Sequence, residues 1–432
     1  MRIIAIILIL LTILLTTSTT LKSQTNVGGP YFTNTVWNLA GSPYILTADV
    51  QVADGVTLTI EPGVEINYNA NYELLVKGSI SVLGTNALPI IFNGNYTDNS
   101  EWEKAMIIFK STDLSNSQIV HSIFNGPKRS LQLADEMEMF EDLIKNSDTL
   151  YTSNLLFINT EIKTKGIATS AKLIIENSNI ENTILLGYPP ASEPIELINS
   201  TITNSIFEIG PYNYGIIINQ STVANSDFRI GCCGANLNVL NSTITNSPLG
   251  ESLWGSSPRG PITILNSELN NSPINLPRGE VNIEGSIINY NSTTGIILGH
   301  GEVICSQITG NNTGTAIQKH NPWNTGTFPT NSLTITSTTI TNNSVGIDIL
   351  STDFATINNT NIISNSNYNL KNYTINNINA KNNWWGTTST SIIDNKIFDY
   401  FDDINYSEVD YTNHLASSYD NTVCNPLITS ID

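Results

Sequence analysis

Basic residues are scarce in this chain. Its 432 residues hold 18 lysines and arginines against 37 aspartates and glutamates, a formal charge of −19. A surface of that sign repels nucleic acid and anionic membranes, so neither is an expected partner. Charge of either sign is thin, at 13% of residues, so the surface must be built largely from neutral polar side chains. Cysteine occurs four times, at Cys232, Cys233, Cys305 and Cys424, in no spacing that makes a zinc site. The sequence also lacks an EF-hand loop, a Gly-rich phosphate loop and a nucleophile elbow. No cofactor is expected, and the expected metal count is none.

Long apolar runs are limited to one. Arg2 precedes an almost wholly apolar stretch, Ile3 to Leu15, and a polar stretch ends near Ser23. This is the shape of a secretory signal peptide over residues 1–23. The run is shorter than the roughly 20 residues of a transmembrane helix, so an uncleaved anchor is the lesser alternative. No cysteine sits near the end of the leader to carry a lipid. Its removal takes away Arg2 and Lys22 and no acid, which moves the net charge from −19 to −21. The expectation is a secreted, extracellular or cell-surface protein, with the periplasm as an alternative, and with no integral membrane segment once the leader is gone. Export permits disulfides. Pairing of Cys232 or Cys233 with Cys305 or Cys424 is preferred over a strained bond between the adjacent pair, and sequence alone does not choose the connectivity.

What remains is 40% apolar, too much for a disordered chain, and it is periodic. The motifs "ENSNIEN", "INSTITN", "NQSTVAN", "LNSTITN", "LNSELNN", "EGSIINY", "CSQITG", "TSTTITN" and "NNTNIIS" centre on Ile180, Ile202, Val223, Ile244, Leu269, Ile288, Ile308, Ile340 and Ile362. Their spacing is 19 to 25 residues, with one of 32. Each has Ser or Thr two residues before the apolar anchor. Six have Asn two residues after it: Asn182, Asn204, Asn225, Asn246, Asn271 and Asn342. Tyr290, Gly310 and Ser364 depart from that pattern. Alternation such as Leu240, Ser242, Ile244 places three side chains on one face of a strand. Asn tolerates left-handed backbone angles and suits the bend that follows. The period fits one coil of a β-solenoid, with coils ~4.8 Å apart and like residues stacked in ladders. The framework of a leucine-rich repeat is absent.

Upstream copies are read at "VHSIFNG", ending on Phe124, and at "FINTEI", ending on Ile162. Between them residues 126–150 are charged and helix-forming, with Leu133, Met137 and Phe140 near helical spacing. They are expected to form a helical insertion, with a partner-binding helix as the alternative.

The ends carry a resemblance. "LTIEPGVEI" and "LLVKGSISVLG", followed by "PIIF", are similar to the opening coils of secreted bacterial right-handed parallel β-helix proteins of the pectin-lyase-like superfamily. The C-terminal "NNWWGT" and "IIDNKIFDYFDD" are similar to their closing segment. The resemblance implies an all-β, right-handed parallel β-helix, a single-stranded solenoid with capped ends, and the repeat arithmetic gives it about eleven or twelve coils. The expected layout is an N-terminal cap and first coils over 24–100, repeats over 101–380, and a C-terminal cap and tail over 381–432. The resemblance is weak for function, because the fold hosts lyases, hydrolases and adhesins.

A search for chemistry finds little that converges. "LGHGEV" around His300 resembles the Gly-His-Gly of polygalacturonases. The Asn-Thr-Asp and Asp-Asp segments that family carries upstream are missing, as is its Arg-Ile-Lys downstream. Asp402 and Asp403 lie too late, and Arg229 too early. Without two placed carboxylates there is no acid/base pair for glycoside hydrolysis. The densest acids, Asp399, Asp402, Asp403, Glu408 and Asp410, are read as a solvated face of the cap, with a calcium site as the lesser alternative.

Inserts between coils fall mainly six to fifteen residues after each anchor, so they project from one face. That face would carry Tyr188, Tyr212, Tyr214, Arg229, Trp254, Arg259, Arg278, His320 and Trp323. Aromatics with arginine suit a polysaccharide or a cell-surface glycan. The bland alternative is that they fold back over their own loops. A last motif, Trp384-Trp385, follows the final repeat. A helix starting near Thr390 or Ser391 would place Ile393, Ile397 and Phe401 on one face, and with Trp384 or Trp385 would close the open coil. A sugar-stacking platform is the alternative. The sequence thus predicts an exported monomer with a structural, glycan-binding or adhesin-like role. Its runner-up is a polysaccharide lyase or glycoside hydrolase that acts on acidic polysaccharide at the loop face.

Overall fold

The asparagine after each anchor is where the chain turns. Asn182, Asn204, Asn225, Asn246, Asn271 and Asn342 hold φ between 49° and 59° in the computed structural model. L-residues with a Cβ rarely adopt this left-handed region, and Asn is among the few that do so routinely. The structure describes residues 24–94, 105–109, 116–125, 129–134, 149–153, 156–158, 161–165, 172–187, 194–209, 215–231, 235–251, 259–320, 332–352 and 354–420. The expected leader, residues 1–23, lies outside them.

A second left-handed corner, not anticipated from the repeat, lies three residues before each anchor. Asn177, Asn199, Gln220, Asn241, Asn266, Cys305, Ser337 and Asn359 have φ between 47° and 52°. Each coil therefore runs through a leading strand, a corner, an anchor strand, a corner and a trailing strand. For the coil of Ile202 these strands are Ile195–Ile198, Thr201–Thr203 and Ile206–Ile209. They pair in parallel with the next coil through Ile195↔Ile216, Ile202↔Val223 and Phe207↔Phe228. Repetition builds three parallel sheets and a parallel β-solenoid of about twelve turns, among the described residues all β apart from a 3-10 turn at Leu39–Gly41 and one short helix.

The nine anchors stack in one buried ladder from Ile180 to Ile362. Register carries it further down through Phe157, Phe124, Phe92, Ile66 and Tyr44. Phe92 and Phe124 stack with ring centroids 4.6 Å apart. The copy below Ile180 is therefore centred on Phe157, not Ile162. Ile162 belongs to the trailing strand Glu161–Lys165, which pairs with Ile184–Gly187. The helix expected over 126–150 is also not found over its described part. Arg129–Ala134 is a strand between Ala105–Phe109 and Glu161–Lys165. The trailing sheet leaves backbone N–H and C=O groups to be paired on both sides there, which a strand does and a helix does not. Residues 126–128 and 135–148 lie outside the described residues.

The Ser/Thr position explains itself in hydrogen bonds. The Ser221 Oγ accepts the backbone N–H of Ser200 at 3.0 Å and donates to the Asn219 carbonyl at 2.8 Å. Ser242, Ser267, Ser286 and Ser306 each do the same for the coil before, so one buried hydroxyl column runs along this corner. A second column follows the other corner through Ser205, Ser226, Ser247 and Ser272. At a corner the coil interrupts its backbone ladder, and the hydroxyl supplies an acceptor for a donor that would otherwise be buried and unmet. The departures from Asn follow from packing. Tyr290 is buried and its hydroxyl donates to Asn343 Oδ1 at 2.6 Å. A Cβ on Gly310 would lie 2.5 Å from that oxygen and 2.9 Å from the phenol, so the next coil has no room for a side chain there.

The two tryptophans are a final, degenerate copy of the repeat. Asn382 holds φ 59°, and Asn383 takes the serine position by accepting the Thr360 N–H at 3.0 Å. Trp384 bridges Asn361 in parallel, and Trp385, buried to 4% exposure, continues the anchor ladder. Trp384 itself is half-buried. The helix that follows, α1 (Thr390–Asp394), is only five residues long. Ile393 and Ile397 are buried as expected of a lid, but they do not share a helix face. The chain leaves α1 and pairs Ile397 with Leu370, closing the trailing sheet. Phe401 is 78% exposed and takes no part in the lid. An open sheet edge demands backbone partners, and that demand ends the helix before an i+8 face can form.

Ser221→Ala keeps the volume and strands the Ser200 N–H, so it is expected to destabilise by about 1–3 kcal/mol in chemical denaturation, whereas Asn204→Gly stays within about 0.5 kcal/mol. Deletion of Trp384 to Asp432 opens the ladder at Ile362 and is expected to abolish soluble, cooperatively unfolding protein, read by expression and thermal melting.

Candidate functional site

Where a trailing strand passes into the next leading strand, coils differ in length. In the coil of Ile244 the trailing strand Leu249–Glu251 and the following leading strand Arg259–Leu265 are separated by residues 252–258. In the coil of Ile308, residues 320–331 separate Thr315–Lys319 from Ser332–Thr336. The two coils between them have no insert. Ile274–Glu284 and Thr294–Ile304 are each one continuous strand that rounds the corner. We call this two-coil span, between coils with longer connections that lie three steps, about 14 Å, apart, the notch.

Chemistry gathers on the notch floor. Arg278 Nε donates to Glu251 Oε2 at 2.9 Å, and its Nη2 reaches the same oxygen. Both side chains are largely covered, at 26% and 15% exposure, so this charge-assisted pair ties two coils together. On the next step His300 Nε2 lies 3.6 Å from Glu280 Oε2, and Asn282 Nδ2 donates to Glu280 Oε1 at 2.7 Å. The bond to His300 is the main cause that holds the Glu280 carboxyl below its ordinary value, with Asn282 adding to it against partial burial. The Gly-His-Gly segment has a packing reason. Gly301 has φ 140°, and a Cβ there would lie 2.0 Å from the Val281 carbonyl oxygen.

The residues expected on this face divide. Arg278 and His320 border the notch. His320 Nε2 sits 2.9 Å from Gln318 Oε1, and Gln318 Nε2 donates to Asp348 Oδ2 at 3.2 Å. Burial holds the imidazole below its ordinary value, opposed by Asp348. The amide between His320 and Asp348 does not titrate, so this chain does not relay a proton. Arg229 lies two coils below Arg278, bonded to Asp227 at 2.7 Å and facing Glu208 at 3.6 Å. Tyr188, Tyr212, Tyr214, Trp254 and Trp323 lie outside the described residues, as does the side chain of Arg259.

Sequence reasoning missed Glu208, Asp227, Glu251 and Glu280. The inserts are poor in acids, but the strand ends that border them are not. The available signal was position: Glu251 is the last residue before the insert 252–258, and Glu280 stands two residues after Arg278 within the continuous strand Ile274–Glu284. Each of Arg229, Arg278 and His300 faces a carboxylate. The edge consequently offers paired donors and acceptors rather than a stretch of uncompensated positive charge.

A second concavity of about 980 Å³ lies at the C-terminal cap, lined by Tyr368, Asp394, Asp399, Phe401, Tyr411 and His414 among others. Its acids hold the cap together. Asp399 accepts the Phe401 and Val409 N–H groups, Asp410 pairs with Lys381 at 2.9 Å, and Asp394 takes the Tyr411 hydroxyl. Burial, with Asp394 adding to it, pushes the Tyr411 phenol up to about 12. Among the described residues no three His, Cys, Asp or Glu side chains converge to hold a metal ion. No described helix is long and apolar enough to cross a membrane.

Glu251→Ala removes the carboxylate that accepts from the largely covered Arg278 guanidinium and is expected to destabilise by about 1–3 kcal/mol in urea titration, with a double cycle through Arg278→Ala isolating the pair. Glu280 favours folding above its ordinary value of 4.5, and that contribution disappears as pH falls through the lowered one. Glu280→Gln should therefore flatten the acid limb of the stability profile by no more than ~1 kcal/mol, since the pair is partly exposed.

No protein-family model matches the sequence, and no curated protein does so. Among solved structures, the A-module of a mannuronan C-5 epimerase of Azotobacter vinelandii is similar over 91% of both chains, at 9% identity and a TM-score of 0.21. At that score the likeness carries no argument about activity.

Proposed function

We propose that this chain is an exported glycan-binding β-solenoid and that a polysaccharide segment is held across the notch at Arg278, Glu280, Asn282 and His300. The observation that carries the reading is the notch itself. Two insert-free coils lie between insert-bearing ones, with a floor of guanidinium, carboxylate, amide and imidazole. A sugar chain presents hydroxyls that both donate and accept. Fixed polar groups on rigid strands fit such a ligand without requiring it to carry charge. Because Arg229 and Arg278 face carboxylates, the ligand expected is a neutral glycan rather than a polyuronate.

The second reading is a lyase or hydrolase at the same edge. The Glu280–His300 contact favours it, because a carboxylate beside an imidazole is the raw material of general acid/base chemistry. Two assays separate the readings. On a glycan array the full chain is expected to retain neutral polysaccharides in preference to uronates, with His300→Ala or Asn282→Ala weakening retention about tenfold, the worth of one good hydrogen bond. Release of unsaturated products or new reducing ends from any polysaccharide, lost in Glu280→Gln, would overturn the binding reading in favour of the enzyme.

A further inference from the structure

Cys305 is disulfide-bonded, and its partner is not among the described residues, so it is Cys232, Cys233 or Cys424. Geometry separates these. Gly231, the residue before Cys232, follows the trailing strand Asp227–Ile230 in the coil of Val223. Cys305 forms the leading corner of the coil of Ile308. The anchor ladder places four steps between them, Val223 to Ile244 to Leu269 to Ile288 to Ile308. At ~4.8 Å per step that is about 19 Å along the axis. Cys233 is two residues beyond Gly231 and gains at most ~7 Å. A disulfide needs Cα atoms within about 7 Å, so neither adjacent cysteine reaches.

The C-terminal chain heads toward Cys305. Leu415 N donates to the Asn383 carbonyl in the last coil. Asn361, one coil lower, holds Tyr419 by two bonds, its Oδ1 accepting the Tyr419 N–H at 2.7 Å and its Nδ2 donating to the Tyr419 carbonyl at 2.9 Å. The Tyr419 hydroxyl then contacts Ser337 Oγ at 3.4 Å, a further coil down. Ser337 stacks directly on Cys305, whose N–H donates to the Thr336 carbonyl at 3.1 Å. Cys424 is five residues past Tyr419, a reach of about 17 Å, against roughly 10 Å for the two remaining steps.

We propose that Cys305 and Cys424 are joined, so that the C-terminal segment is a covalent strap running down the leading corner across the last coils. The bond forms by exchange with an external disulfide. One thiolate attacks it to give a mixed disulfide, the second thiolate displaces that group, and two external thiols leave with the electrons. The strap does not depend on the glycan reading.

Trypsin tests it on the full chain without reduction. Cleavage after Arg229, Arg259, Arg278, Lys319 and Lys396 places the cysteines on three peptides, 230–259, 279–319 and 397–432. The expected result is 279–319 joined to 397–432, separating on reduction. Joining of 279–319 to 230–259, or free alkylation of Cys305, would overturn the assignment. In Cys424→Ser, Cys305 should become fully alkylated. Limited chymotrypsin treatment tests the strap as such. Reduction, or Cys424→Ser, should speed cleavage at Tyr419 by about tenfold or more, as local opening becomes easier. An unchanged rate means that the bond does not hold the tail down.

Discussion

The corner hydrogen bond is the interaction on which this structure rests. In a parallel solenoid the strands satisfy each other, but the two corners that flank the anchor strand interrupt the ladder and leave a buried N–H facing the next coil. Here a serine hydroxyl accepts that N–H and returns its own proton to the carbonyl two residues back. The arrangement works only if the residue before the hydroxyl turns left-handed, which Asn199 and Gln220 do. The apolar anchor then points inward because the corner has aimed it there. Corner geometry comes first, and core packing follows from it.

That constraint also explains the C-terminal end. The final copy uses Asn383 in place of serine and Trp385 in place of isoleucine, so the ladder closes on a large ring instead of stopping. Tyr411 packs edge-on against Trp385 at 6.3 Å. The acids that crowd the cap are spent on backbone N–H groups and on Tyr411 and Lys381. Besides residues 94–104, which separate the anchor strand Ile90–Asn93 from the trailing strand Ala105–Phe109, connection length varies mainly where a trailing strand passes into the next leading strand. Inserts there lengthen a connection without disturbing either hydroxyl column, because both columns flank the anchor strand and the inserts lie opposite it.

Within that freedom, the two coils that decline an insert are the informative ones. Arg278, Glu280 and His300 sit on continuous strands, so their positions are set by the ladder and not by loops. Contact across coils, Glu251 to Arg278 and Glu280 to His300, couples this floor to the stacking itself. Ligand binding at the notch would thus act on residues that also hold neighbouring coils together.

The sequence by itself determined the period, the anchor ladder from Ile180 to Ile362, the Asn corners and the phase of the inserts. All of these follow from local rules: alternation along a strand, and the tolerance of Asn for positive φ. Only the tertiary structure decided what depends on register between coils. It showed Phe157 rather than Ile162 as the anchor below Ile180, a strand over Arg129–Ala134, and Phe401 left in solvent while Ile397 joined a sheet. It also brought Glu251 to Arg278 and Glu280 to His300. Those partners lie some twenty residues or more apart in the chain and one step apart in space. A pairing set by stacking leaves no local trace in composition or spacing, and so it becomes visible only when the coils are laid one upon another.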